Sequence, residues 1–410
     1  MFYGYVVVLA AFMIMAVSSG AVLSFSVFFS SLQQEFGWTR AVTSAAFSLN
    51  MIMQGLLAIG VGKLNDRFGP RVIVTVCGLL LGTGFVLVSR VTAVWQLYVL
   101  YGVLIGAGVS GGPVPLMSTV ARWFRARRGV MTGVVMAGVG FGTMLVPPFA
   151  EWLIRTLSWR WSYVVVGSML LVVIPLASQF LRRDPGQMGL VPFGSDDTPT
   201  PEGEARVVTT HGLFFSEALH TRQLWLLVLA FACFGFTAHS VMVHVVVHAT
   251  GLGLSASTAA GLMTAIGACG VAGRIGMGSL ADRHGSRWLM VMLFGLLSLS
   301  LFWLSAARDT WSIVGCACLF GFAFGGLVPL NSHIMAHLFG LRAHGALLGT
   351  SGLAVGIGSA VGPVLTGHMY DVMGSYTVPF EICGVVVAVA AVLMCLVTPL
   401  KQSRTEPLNG

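Results

Sequence analysis

The sequence predicts an all-α integral membrane protein, with twelve transmembrane helices in two pseudo-symmetric six-helix bundles. Three observations predict it. Of the 410 residues, 56% are hydrophobic and only 9% charged, with a mean hydropathy of +0.88, far from the composition of an ordinary soluble domain. The apolar residues fall into runs of roughly 20 to 27, about what a helix needs to cross some 30 Å of hydrocarbon. A charged loop also recurs, in the same pattern, 216 residues after its first occurrence.

Breaks at charged or Gly/Pro-rich turns place the helices at 4–30, 39–62, 71–90, 94–119, 129–150, 160–181, 222–249, 256–281, 287–306, 311–336, 345–368 and 376–399. The first has no charged leading region and no small-residue cleavage pattern, so it reads as a retained helix rather than a signal peptide. The second closes on "GKLNDRFGPR" (Gly62 to Arg71) and the eighth on "GSLADRHGSR" (Gly278 to Arg287), both G-x-x-x-D-R-x-G-x-R. The offset of 216 also carries Pro113 onto Pro329, Gly129 onto Gly345, Gly133 onto Gly349, Gly140 onto Gly356, Gly142 onto Gly358 and Pro147 onto Pro363. The halves are therefore read as copies. Residues 1–181 form the first bundle, 182–221 a Pro-, Gly- and charge-rich linker, 222–399 the second bundle and 400–410 a tail.

Lys and Arg set the expected orientation. With both termini in the cytoplasm, 16 of the 22 basic residues lie on the cytoplasmic side, five lie outside, and the remaining one is Arg274. The net charge of +8 then reflects topology and anionic lipid, not nucleic acid. A multi-pass protein of a cell membrane, a bacterial inner membrane, follows as the expected location, and a monomer as the expected state. The seven cysteines all lie in apolar runs without metal-ligand spacing and read as small hydrophobes. No metal and no cofactor is expected. The sequence lacks a P-loop, which argues against an ATP-driven pump; it also lacks paired carboxylates or an intramembrane nucleophile, which argues against an enzyme.

The doubled loop, the twelve helices and the central linker resemble the major facilitator superfamily over essentially the whole chain. "RWFRARRGVMTG" (Arg122 to Gly133) and "RIGMGSLADRHGSR" (Arg274 to Arg287) further resemble monocarboxylate porters and oxalate/formate antiporter-like proteins. The resemblance implies an alternating-access carrier with no enzymatic activity, in which the arginine of the eighth helix binds the substrate carboxylate. It also implies a gate at the paired loops, here Asp66, Arg67, Arg71, Asp282, Arg283 and Arg287, with Arg127 and Arg128 at the start of the fifth helix.

The residues support this independently. An arginine at helix-centre depth costs about 2.5 to 3.5 kcal/mol on insertion scales and usually marks a substrate path. Arg274 stands about 8 Å from the middle of its helix, and the offset maps it onto Ala58, so the charge is not part of the shared scaffold. A planar guanidinium suits one carboxylate. No second lysine or arginine lies between Ala346 and Tyr370 in the eleventh helix, which weighs against a dicarboxylate such as oxalate.

In "TAHSVMVHVVVHATG" of the seventh helix, His244 and His248 share a face and His239 lies about 140° from His244. His239 maps onto Leu23 and His244 onto Phe28. By the resemblance, Leu23 stands where many porters carry a lysine, and Gly270 where an acid is often found. Both usual proton-coupling partners are thus absent, and a histidine, titrating near neutrality, becomes the candidate: His244 first, then His239, with His248 nearer the outer surface. Glu381 and Asp371 read as end-of-helix charges. Asn50, Gln54 and Asn331 read as interhelical hydrogen-bonding residues. The expected activity is transport of a lactate- or pyruvate-like monocarboxylate, coupled to protons by symport. The alternatives are exchange of other organic acids, export of amphipathic compounds, or a substrate sensor that does not transport. A sensor would usually carry a long soluble tail, and only about ten residues follow the last expected span.

Overall fold

The computed structural model describes the backbone at residues 2–124, 128–194, 213–340 and 343–398, and the side chains there except at 59, 63, 66, 128, 129, 279, 282–284, 344 and 345. Among the described residues, twelve spans are long and apolar enough to cross a membrane. They are α1 (Gly4–Phe36), α2 (Arg40–Phe68), α3 (Pro70–Val88), α4 (Val94–Trp123), α5 (Arg128–Thr156), α6 (Trp159–Ser178), α7 (Arg222–Gly251), α8 (Ala256–His284), α9 (Ser286–Ala306), α10 (Thr310–Phe339), α11 (His344–Met373) and α12 (Thr377–Leu396). Odd-numbered helices start on the face that holds the first described residues and the two repeated loops, here called the terminal face. Even-numbered helices start on the far face.

The ends follow local chemistry. Thr39, Ser158, Ser255 and Asp309 each accept a backbone N–H three residues on, capping α2, α6, α8 and α10. In the repeated loops Gly69 and Gly285 adopt φ of 82° and 77°, a region open to glycine and closed to side chains with a Cβ. Two spans are less regular than their apolar patterns suggest. In α1 the helix breaks at Ser24, whose hydroxyl bonds Gly20 O at 2.7 Å, while Tyr101 O–H takes the Val22 carbonyl at 2.9 Å. The same helix extends to Phe36 rather than ending at 30. In α4, a π-helical stretch (Tyr98–Ile105) precedes a break before Pro113, and Asn50 Nδ2 donates to the Tyr101 carbonyl at 2.8 Å.

The repeat recurs in the packing. A methyl group on Gly142 would overlap the Ala16 carbonyl of α1, and one on Gly358 would overlap the Ala232 carbonyl of α7; both pairs are 216 apart. Arg71 Nε donates to Gln179 Oε1 at 2.6 Å, and Arg287 Nη2 to Cys395 O at 2.6 Å, again at matching positions. The linker is pinned at both ends alike, Phe193 N to Trp123 O and Leu213 N to Phe339 O, each 2.9 Å. Each half has its own apolar core, and Leu23 and Ile154 pack against both.

The halves meet along two long seams, α2 with α11 and α5 with α8, and also where the end of α1 (Phe25–Phe36) packs on α7. The described hydrogen bonds between halves lie toward the far face: Arg40 with Asp371 and Tyr376, and Thr264 Oγ1 with Met144 O at 2.9 Å. Toward the terminal face, a Cβ on Gly55, Gly133, Gly276, Gly349 or Gly352 would meet no heavy atom within 4 Å. The seams are closed on the far side and part toward the terminal side.

Candidate functional site

Arg274 sits on α8, about 6 Å past its midpoint toward the terminal face at 1.5 Å per residue. Glycines make room for it. One guanidinium nitrogen would lie 2.6 Å from a Cβ on Gly140 of α5 and 3.7 Å from one on Gly270, and the guanidinium carbon stands 5.9 Å from the centre of the Phe324 ring on α10. Phe324 stacks with Phe320 and Phe234. The arginine is half-buried; its Nε is fully buried without a hydrogen-bond partner, and no carboxylate lies within 4.0 Å among the described residues. A charge-bearing group placed this way is paired only when something else supplies an anion. Gly270 and Gly140 hold the space where a protein acid could have stood.

The described partners of the α7 histidines do not include Arg274. His239 accepts or donates at Nδ1 with Ser359 Oγ at 2.8 Å on α11, and its ring faces Phe47 of α2 at 5.9 Å. His244 is fully buried and engaged at both nitrogens, Nε2 with Pro363 O at 2.9 Å and Nδ1 with the Tyr376 hydroxyl at 2.8 Å. A carbonyl only accepts, so Nε2 carries the hydrogen and Nδ1 accepts from Tyr376. His248, expected nearer the surface, is buried at 6% exposure between the edges of Tyr376 and Phe380. Leu23 lies at the break of α1, against both cores.

His244 leads instead to a latch on the far face. Arg40 Nη1 donates to the Tyr376 hydroxyl at 2.6 Å, and its guanidinium stacks on Tyr370 at 3.5 Å. The Asp371 carboxylate accepts the backbone N–H groups of Arg40 and Ala41, both at 2.9 Å. An acid at the end of α11 thus caps the start of α2 across the two halves, where the helix dipole favours it. Asp371 is an end-of-helix charge, as its position suggests, but the helix it serves is not its own. Sequence reasoning missed Arg40 and Tyr376. The available signal was asymmetry, since the offset maps Arg40 onto Ala256 and Asp371 onto Arg155.

Among the residues expected to form the gate, Arg71 and Arg287 bond within their own halves, bracing α3 to α6 and α9 to α12. Arg67 is exposed beside Phe68. The side chains of Asp66, Arg128, Asp282 and Arg283 lie outside the described set, as does all of Arg127. Of the polar residues within spans, Asn331 bonds Ser351 at 2.6 Å. Among the described residues, no three His, Cys, Asp or Glu side chains could together hold a metal ion.

Two six-helix halves with the same internal packing, joined at seams closed on one face and parted on the other, define the class as a membrane transporter built from two parallel repeats. The Major Facilitator Superfamily profile matches residues 7–283 and 262–410; the chain belongs to this superfamily and is monocarboxylate-transporter-like. It is 28% identical over 389 residues to "Monocarboxylate transporter 13" of Bos taurus, covering 93% of this chain and 86% of that protein. It is 24% identical over 426 residues to human "Monocarboxylate transporter 12", covering 99% and 83%. Among solved structures, a bacterial homologue of the human lysosomal transporter Spinster, inward-facing and occupied, aligns with a TM-score of 0.77 at 16% identity over 99% of both chains.

Proposed function

We propose that this transporter carries small organic monocarboxylates by alternating access, with Arg274 as the anion anchor. One observation carries the reading: a guanidinium within a span, with a buried Nε and no carboxylate within 4.0 Å among the described residues. A bound carboxylate would supply two charge-assisted hydrogen bonds matched to the arginine fork. The wall of Phe324, Phe320 and Phe234 beside it suits an acid with an apolar body, lactate- or pyruvate-like or somewhat larger. The names of the relatives agree with that ligand class.

His239 serves as the second contact, because it faces the opposite half through Phe47 and only its Nδ1 has a described partner. His244, held at both nitrogens, belongs to the far-face latch. Both termini lie in the cytoplasm by the distribution of Lys and Arg, so the far face is external and the arrangement described is open inward. Transport is coupled to protons, which enter with the anion through His239 of α7.

The test is uptake of radiolabelled lactate, pyruvate and benzoate into proteoliposomes, with and without an inward proton gradient. Saturable uptake stimulated by the gradient is the expected result. Arg274→Gln should weaken apparent affinity by about 10- to 100-fold, the equivalent of one charged pair at about 1.5 to 3 kcal/mol. Equal uptake by wild type and Arg274→Gln would remove the anchor.

A further inference from the structure

The two seams differ at their external ends. In the α2–α11 seam Gly367 lets α11 approach the α2 backbone, with a Cβ there only 2.9 to 3.0 Å from Arg40 and Ala41 atoms, and Asp371 caps the α2 amides. In the α5–α8 seam the offset of 216 puts Glu151 at the place of Gly367, Arg155 at that of Asp371, and Ala256 and Ser257 at those of Arg40 and Ala41. The acid that closes one seam is replaced by a cation in the other. Here the helices enclose a cavity of about 590 Å³ lined by Glu151, Arg155, Ala256, Arg40, Gln33 and Gln34 among others. The amides of Ala256 and Ser257 have no described acceptor, since Ser255 caps only Thr258, at 3.1 Å. Glu151 is 6% exposed and forms no described hydrogen bond or ion pair within 4.0 Å, and Arg155, one turn on, acts on it electrostatically from the same cavity.

We propose that this cavity is a second, external carboxylate site. The bound anion takes the place that the Asp371 carboxylate holds in the other seam, accepting from the amides of Ala256 and Ser257, with Arg155 as its counter-charge. The protein itself thus displays the liganded form of the site, 216 residues away. A carboxylate beside Glu151 is compatible only with a protonated Glu151, whose O–H then donates to it. The other charged groups on this cavity are Arg40 and Arg155. α1 contributes Ser30, Ser31, Gln33 and Gln34, and α7 contributes Thr250, none of which titrates. Anion binding therefore takes up a proton wherever Glu151 starts ionised. The ligand class rests on the reading above; the location does not.

The test is binding of radiolabelled benzoate to the purified full-length chain in nanodiscs, between about pH 8 and pH 6. Arg274→Gln, which weakens the central site by about 10- to 100-fold, should leave one tighter binding site whose affinity rises by up to about tenfold per pH unit on acidification. On that background, Arg155→Gln should weaken binding by tenfold or more, whereas Glu151→Gln should keep binding and lose its pH slope. The double change Glu151→Gly with Arg155→Asp, which copies the sealed seam, should abolish it. If folded Arg274→Gln binds no benzoate at any pH, or if binding survives Arg155→Gln and the double change unaltered, the external site is refuted. Wild-type proteoliposomes that bind benzoate but move no carboxylate would refute the transport reading instead and leave the site standing.

Discussion

Replacing Asp371 with asparagine should loosen the far-face closure. The carboxylate accepts two backbone amides of α2 at 2.9 Å each, and it does so at the positive end of a 29-residue helix. Asparagine keeps one acceptor oxygen, turns the other position into a donor facing a donor, and removes the charge. A charge-assisted hydrogen bond is worth about 1.5 to 3 kcal/mol and the helix terminus about 0.3 to 1. Asp371 is exposed, so screening reduces the sum to about 1 to 2 kcal/mol. That corresponds to a shift of about 5- to 30-fold toward the arrangement open on the far face. Spin labels at Leu157→Cys and Val372→Cys, both well exposed on the far face at 58% and 71%, would report it by double electron–electron resonance, as growth of a longer-distance population. The same distance distribution in wild type, Asp371→Asn and Asp371→Ala would refute the cross-half cap as an energetic element of the gate.

Three further outcomes follow from the same geometry. Gly270→Asp sets a carboxylate beside Arg274, since a Cβ there stands 3.7 Å from the guanidinium; carboxylate affinity should fall by about tenfold or more through internal competition, read from uptake kinetics. Tyr376→Phe strands both His244 Nδ1 and Arg40 Nη1, and should lower the thermal unfolding free energy by about 1 to 3 kcal/mol, measured in detergent against wild type. Gly142→Ala and Gly358→Ala force overlap with the matching carbonyls of Ala16 and Ala232, and should destabilise to a similar degree, each by about 1 to 3 kcal/mol; a large effect in only one half would contradict the repeat at the level of packing.

Much of the fold was legible because bilayer thickness and the repeat constrain it strongly. Span number and the paired glycine contacts follow from hydropathy and one offset. The break at Ser24 and the π-helical turn around Tyr101 were not legible, because each depends on a partner from another helix taking up a freed carbonyl. Of the site, the unpaired state of Arg274 was readable from the lack of nearby acids in sequence, whereas the separation of His239 from His244 was only half readable. The angle between them could be counted, but not the fact that Tyr376, 132 residues away, claims the second. Glu151 went unnoticed because an acid near the end of a span looks like a boundary residue until its burial is known.

Symmetry explains why these residues, and not the more numerous glycines and loop arginines, carry the functional argument. Where the offset joins like to like, as at Arg71 and Arg287 or Gly142 and Gly358, the structure shows the same bond or contact twice, and such pairs build the two halves. A transporter must also bind something at the junction of those halves, and a ligand without internal symmetry cannot be held by two equal surfaces. The differences fall where that requirement acts: Arg274 against Ala58, Arg40 against Ala256, Asp371 against Arg155, and Gly367 against Glu151. All four involve charge at the seams. One seam uses its charges on itself, closing α2 onto α11 with an internal carboxylate, while in the other neither Arg274 nor Arg155 forms a described ion pair within 4.0 Å, and Arg155 shares its cavity with Glu151. On the two proposed readings, anion affinity runs along the α5–α8 seam from Arg155 at the far face to Arg274 at the centre, at the positions where the opposite seam carries Asp371 and Ala58.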